Sequence, residues 1–386
     1  MGLTIAAMPA SPDAIPPSDS PSPLGLTSQQ WVESVGPSVK GGRLWALRAY
    51  KAFMREGRTD DPVFAQVGEP TVGPVLRQEC EDTPEGVITK FIQQLDIEHQ
   101  GVGLEAESVV IPMVGRKGRL AHSLCVSSQV GCAMGCGFCE TAQMGLLASL
   151  SPAQIVGQWH AAVHQLGAMP SNLVFMGMGE PLDNTEAVLQ AIAVLTDHAG
   201  AAMAMSKITV STVGRLDGLQ RLRQAVERPG WHKLGVSISL NAPNDAIRNQ
   251  IMPINRAMPM ARLRQALLDF PHGTGKPYLI AYVLIPGLND AMEHADELAE
   301  WVKPLRCMVN IIPYNPRRDS PWEAPREEDV ERFVQRLSSH GVFVKRRRTK
   351  GRSTMAACGQ LGNPAIRRRR VVAASSTIPL TFGGGS

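Results

Sequence analysis

From about residue 105 onward the chain alternates between two periods. Short runs rich in β-branched and aliphatic residues (SVVIP, LCVSSQ, NLVFMG, KITVSTVG, LGVSISLNA, YLIAYVLIPG, CMVNIIPYN and FVKRRRT) predict strands. Between most of them, PAQIVGQWHAAVHQL, TEAVLQAIAVLTDH, LDGLQRLRQAVE, MARLRQALLDF, AMEHADELAEWV and REEDVERFVQRLSSH repeat apolar positions at helical spacing. Pro152, Pro259 and Pro325 stand where the first turn of a helix accepts proline. Strands alternating with such helices make βαβ units and a parallel sheet. The repeats are too few for an eight-fold barrel. The expected fold class is therefore α/β, a partial six-fold (β/α) barrel. Ligands in such folds bind at the C-terminal ends of the strands. The chemistry-bearing residues fall there: GMGEP after NLVFM, Ser211 after ITV, Ser239, Leu240 and Asn241 closing GVSIS, and Asn315 after VNIIPY.

Upstream, residues 27–104 read as a small helical accessory domain through SQQWVESVG, GGRLWALRAYKAFMREG and PEGVITKFIQQL. The segment GRLWALRAYKAFMREGR mixes basic and aromatic residues, compatible with an RNA-contacting face or with a core stripe and a wet side. Residues 1–26, rich in Pro, Ser and Ala, bury too little apolar surface to offset chain entropy and are expected to be disordered. The barrel is expected to span 105–361, and 362–386 to be a basic, flexible tail. The chain has 386 residues, 44% of them apolar, with no apolar run long enough for a membrane span and no basic n-region before an apolar stretch. Cytoplasm is the expected location. The net charge of +4 is compatible with an RNA partner without demanding one, and the arginine runs 346–348 and 367–370 read equally as solvated faces.

Seven cysteines, an odd number in a large chain, argue for metal-binding or catalytic thiols rather than a disulfide framework. Cys132, Cys136 and Cys139 form a C-x3-C-x2-C run, with Cys125 seven residues upstream of the first. Three thiolates at this spacing hold three irons of a 4Fe–4S cluster and leave the fourth without a protein ligand. Zinc asks for four ligands, usually as paired C-x2-C units; His122 and Cys125 could complete such a site, so spacing alone leaves zinc open. Gly131, Ala133, Gly135 and Gly137 let the backbone wrap tightly and turn amides inward. Glu180 in GMGEP offers a carboxylate for an ammonium. Cys358 lies far along the chain in AACGQL, while Cys80 and Cys307 read as buried structural cysteines.

The cysteine loop resembles the signature of the radical S-adenosylmethionine (SAM) superfamily, in which SAM chelates the open iron and is cleaved by one electron. CVSSQVGCAMGCGFC, NLVFMGMGEPLDN, ITVSTVG, APNDAIRNQIMPINR, VNIIPYNP and AACGQL, taken together over residues 105–362, closely resemble the RlmN/Cfr family of radical SAM RNA methyltransferases. The resemblance implies methylation of an aromatic carbon of adenosine, C2 in housekeeping members, in 23S rRNA and also tRNA. Two SAM molecules are consumed: one methylates a cysteine matching Cys358, the other supplies the radical that activates that methyl group. Cys125 matches the residue that forms a transient disulfide with Cys358, and Glu107, in ESVVIP, matches the proton acceptor. Gly179, Glu180, Ser211, Ser239, Leu240, Asn241 and Asn315 match SAM contacts. The implied partners are the RNA and an electron donor of the flavodoxin or ferredoxin type, with the enzyme a monomer.

This chain departs from the family at Asn241, where His is usual, and after the cysteine loop at Glu140, Gly145 and Leu146; its N-terminal region matches weakly. The alternatives are a C8 methyltransferase of the antibiotic-resistance kind, a relative with another RNA target, or a non-enzymatic RNA-binding protein with a structural metal.

Overall fold

The computed structural model describes residues 21–114, 118, 120–271, 276–347, 351 and 354–363. The arginine run 367–370, Arg348, residues 1–20 of the N-terminal segment and residues 364–386 of the tail lie outside the described residues.

The chain opens on α1 (Ser28–Val35), α2 (Gly42–Glu56) and the short α3 (Phe64–Val67). A capping box starts α1: the Thr27 hydroxyl accepts from Gln30 N–H and the Gln30 side chain accepts from Thr27 N–H. Packing begins before residue 27, because Leu24 is buried and the Tyr50 hydroxyl donates to Leu26 O at 3.1 Å. Residues 21–26 therefore belong to the folded unit rather than to the disordered segment expected for 1–26.

Three long strands follow, β1 (Val75–Thr83), β2 (Gly86–His99) and β3 (Val102–Val114), paired antiparallel. This corrects the helical reading of PEGVITKFIQQL, most of which is β2. Ile88, Phe91, Ile92 and Leu95 are all buried, and so are Lys90 and Gln93 between them. A strand covered on both faces loses its alternation, and its apolar residues then mimic helical spacing. The expected domain border at 104/105 falls inside β3.

The remaining elements are β4 (Leu120–Cys125), β5 (Gln129–Gly131), α4 (Glu140–Gln143), β6 (Leu146–Ser149), α5 (Pro152–His164), β7 (Pro170–Phe175), α6 (Thr185–Thr196), β8 (Ile208–Thr212), α7 (Leu216–Val226), β9 (Gly235–Ser239), α8 (Asp245–Ile251), α9 (Met260–Leu268), β10 (Tyr278–Leu284), α10 (Met292–Val302), β11 (Cys307–Pro313), α11 (Glu327–Ser339) and β12 (Val344–Arg346). One ten-stranded sheet runs β1-β2-β3-β4-β7-β8-β9-β10-β11-β12, with β5 and β6 as a separate pair. From β4 to β12 every pairing in that sheet is parallel. The units β4–α5, β7–α6, β8–α7, β9–α9, β10–α10 and β11–α11 make the six-fold partial barrel, open between β1 and β12. The β1–β3 wing continues its sheet, since β4 pairs antiparallel with β3 and parallel with β7. The helices α1–α3 pack on α5, where His160 Nε2 meets Phe53 O at 3.1 Å and the two rings stack at 4.4 Å. Among the described residues no helix is long and apolar enough to cross a membrane.

Candidate active site

The cysteine loop hangs between β5 and α4, at the C-terminal edge of the parallel sheet. Its entry and exit strands are pressed together: Cys132 N–H donates to Gly145 O at 2.9 Å. Gly131 has φ +73°, and a Cβ there would lie 1.8 Å from Gly145 O, so no other residue fits. The far side of the loop is fastened by Gly137 N–H to Ile251 O (2.9 Å) and by Arg317 Nε to Gly137 O (2.8 Å). Cys132, Cys136 and Cys139 line one cavity of about 150 Å³, together with Gly179, Glu180, Ser211, Ser239, Asn241, Asn315 and Cys358. Burial pushes all three loop thiols up, each aided by a neighbouring acidic group. Such thiols ionise readily only against a positive partner, which iron provides. No three Cys, His, Asp or Glu side chains among the described residues converge on a point for a single metal ion. A cluster spreads its thiolates over separate irons, so three cysteines around one cavity fit it.

The loop after β7 forms the cavity wall beside the cysteines. Gly179 has φ +97° and packs so closely that a Cβ would stand 2.6 Å from Gln129. Glu180 is 2% exposed; its carboxylate accepts Leu182 N–H and Val213 N–H, each at 2.9 Å, and its own N–H donates to Gln129 Oε1 at 2.9 Å. Burial pushes its pKa up to about 7 against those amides. Both carboxylate oxygens thus already accept a backbone amide before any ammonium is counted. The Ser211 and Ser239 hydroxyls lie 3.4 Å apart at the ends of β8 and β9. Asn241 adopts φ +59°, a left-handed conformation that Asn tolerates well. Its Oδ1 accepts Val283 N–H at 3.0 Å, and its carbonyl accepts Asn289 Nδ2 at 2.8 Å. Leu240 does not line the cavity; it is fully buried and offers its carbonyl to Arg248 Nε at 3.0 Å.

Arg248, on α8, was not singled out by sequence. It is fully buried and also donates to Val213 O (2.6 Å) and Asn255 Oδ1 (2.8 Å), tying the loops after β8 and β9 together. Burial pulls its pKa down to about 10.

Cys125 ends β4, opposite Val109 of β3, and is buried. Its pKa is pushed up to about 12, first by burial and next by the neighbouring Cys358, with Arg347 opposing. Cys358 reaches the cavity because its segment is fastened over the cysteine loop. Glu140 N–H donates to Gly359 O (2.7 Å), Thr141 Oγ1 to Leu361 O (2.6 Å) and Gln360 Nε2 to Pro316 O (2.9 Å). Gly362 N–H then donates to Glu107 Oε2 at 3.2 Å. Glu107 is 7% exposed on β3, and burial raises its pKa. It does not line the cavity; its carbonyl accepts the Ser127 hydroxyl at 2.7 Å, and Ser127 Oγ in turn accepts the N–H of Met178, which lies between the cavity-lining Gly177 and Gly179. Cys307 is half-buried, whereas Cys80 is exposed, which corrects the expectation of a buried structural residue: β1 is the sheet edge.

Residues 126–302 match the model of the Radical SAM superfamily. The chain is 37% identical over 90% of its length to the probable dual-specificity RNA methyltransferase RlmN 1 of Protochlamydia amoebophila, covering 95% of that protein. The chain belongs to the RlmN/Cfr family of radical SAM RNA methyltransferases. The RlmN of Alkalilimnicola ehrlichii is 41% identical over 69% of this chain and 73% of its own length. A radical SAM methyltransferase from Sphaerobacter thermophilus superposes with a TM-score of 0.77 at 32% identity, over 88% of this chain and 98% of that one. As a member of the RlmN/Cfr family, the protein is an RNA methyltransferase that uses a 4Fe–4S cluster and SAM. Membership removes the non-enzymatic alternative. The β1–β3 wing with Glu107 and the Cys358 segment both lie outside the residues that match the superfamily model.

Proposed function

We propose that this RlmN/Cfr enzyme methylates C2 of an adenosine in 23S rRNA, by way of a methyl group carried on Cys358 and a transient Cys125–Cys358 disulfide. The observation that carries this reading is Cys358 lining the same cavity as Cys132, Cys136 and Cys139, with Cys125 buried beside it. The dual specificity in the relatives' name fits a second RNA target, for which we propose tRNA.

A cluster held by Cys132, Cys136 and Cys139 supplies the one-electron cleavage of SAM, with electrons from a flavodoxin or ferredoxin. Gly179, Glu180, Ser211, Ser239, Asn241 and Asn315, at the C-terminal ends of β7, β8, β9 and β11, would hold SAM, with Leu240 behind them giving its carbonyl to Arg248. Cys358 carries the methyl group as a thioether, which no longer ionises. Burial keeps the Cys125 thiol protonated, so it does not compete for the methyl of SAM and acts only when product is released. Glu107 takes the ring proton as the new carbon–carbon bond matures. The helices α1–α3 grip the RNA, and the enzyme works as a monomer.

The test is mass spectrometry of RNA treated with the iron-loaded enzyme. 2-Methyladenosine is expected; 8-methyladenosine would move the reading to the C8 branch, and unmodified RNA would sink it. Cys358→Ala should abolish methyl transfer. Cys125→Ala should keep its iron but fail to release product.

A further inference from the structure

Glu107 shares its place with two other charges. Lys90 on β2 pairs directly with Glu79 on β1, and stands two residues along its strand from Ile92, the partner of Glu107 on β3. The Lys90 ammonium lies 2.9 Å from Glu79 Oε2 and 3.8 Å from Glu107 Oε2. The lysine side chain is 6% exposed, that of Glu107 9% and that of Glu79 43%. One buried cation thus stands between an inner acid beside the active-site cavity and an outer acid in contact with water.

An aliphatic residue would fill this position between strands without the desolvation cost of an ammonium. The charge is therefore informative. We infer that Lys90 is a positioning residue that keeps Glu107 ionised and aimed for proton transfer, with Glu79 anchoring the ammonium from the solvent side. This rests on the reading of Glu107 as the proton acceptor. The arrangement explains why two acids share one lysine. When Glu107 takes up a proton and becomes neutral, Lys90 stays paired with Glu79, and no uncompensated charge is left buried. Burial raises the pKa of Glu107, and Lys90 is the largest influence opposing it. The Gly362 amide and Arg318, from the loop after β11, act in the same direction as Lys90, while Glu79 acts against it. Arg318 is itself engaged with Glu140 at 3.5 Å, whereas the Lys90 ammonium lies within 3.8 Å of Glu107.

The test is the pH dependence of single-turnover methyl transfer by iron-loaded enzyme. Removing an opposite charge at this distance raises a carboxyl pKa by about 1–3 units. Lys90→Met should therefore move the acid limb of the profile up by at least about one unit, a loss of roughly tenfold below the limb with recovery above it. Lys90→Arg should restore the wild-type limb. Glu79→Gln removes a negative charge and should move the limb the other way, to lower pH. A merely structural triad would make Lys90→Met and Glu79→Gln lose rate alike at every pH with the limb fixed, and that outcome overturns the proposal. If Lys90→Met does not fold, the direction of the Glu79→Gln shift decides, because that site tolerates solvent. Glu107→Gln separates the two ideas. Full activity in it refutes Glu107 as the proton acceptor; inactivity in it, with an unmoved limb in Lys90→Met, refutes Lys90 alone.

Discussion

Arg248 spends its guanidinium on carbonyls. This buried cation stands because Leu240 O, Val213 O, Ser239 O and Asn255 Oδ1 accept its protons in fixed directions, with the charge of Asp245 also favouring it. Arg248→Met should cost about 3–5 kcal/mol by orphaning those acceptors, read as a fall in the urea midpoint. Arg248→Lys, which keeps the charge but not the planar fork, should recover only part of it. A result within error of wild type for Arg248→Met would show that the loops after β8 and β9 hold without it. Nothing in the APNDAIRNQIMPINR run announces a buried arginine, because apart from Asn255 Oδ1 its partners are backbone carbonyls outside the run. Asn241 is the opposite case. Its identity was readable as a departure, and its φ of +59° supplies the reason an amide serves where it stands.

At the scale of elements, the helices α7, α9, α10 and α11 were legible because each turns one apolar stripe inward and one polar face to water, and α5 and α6 through their helical spacing, although α5 is buried all round from Ile155 to Ala162. The strand β2 was not, since it is covered on both sides. The docking of α2 on α5 was also hidden, as it rests on two histidines that sequence shows merely as spaced four apart. Burial first, and the charge of His164 second, pull the pKa of His160 down to about 4. The unfolded chain takes up a proton near 6.5, where the folded chain does not, so stability from this site is full above about pH 6.5 and is lost as pH falls toward 4. The loss reaches about 3 kcal/mol at its limit. The thermal midpoint of the wild type should drop between pH 7.5 and 5 more steeply than that of His160→Gln; equal slopes would refute the assignment.

Across the whole molecule, the three loop cysteines and Cys358 were singled out by sequence, but their meeting was not. It depends on ties between segments more than two hundred residues apart, such as Thr141 to Leu361. These ties predict coupling. Stripping the iron should lower the thermal midpoint, since a bound metal stabilises only the folded state. It should also raise hydrogen exchange at residues 137–145 and 357–362 together. Faster exchange confined to the cysteine loop would show that the Cys358 segment is held independently.

The β1–β3 wing and the barrel are hydrogen-bonded into one plate, with Glu107 on the first and the cysteine loop on the second. Among the described residues the wing and the barrel share one continuous sheet, which does not hinge shut over a nucleotide as two separate lobes would. The accommodation then falls to the nucleic acid, which has to unstack and swing a base outward to reach the cavity. How cheaply a given position in an RNA can be pulled out of its helix becomes a selectivity filter, one that operates before any residue of the enzyme reads the base.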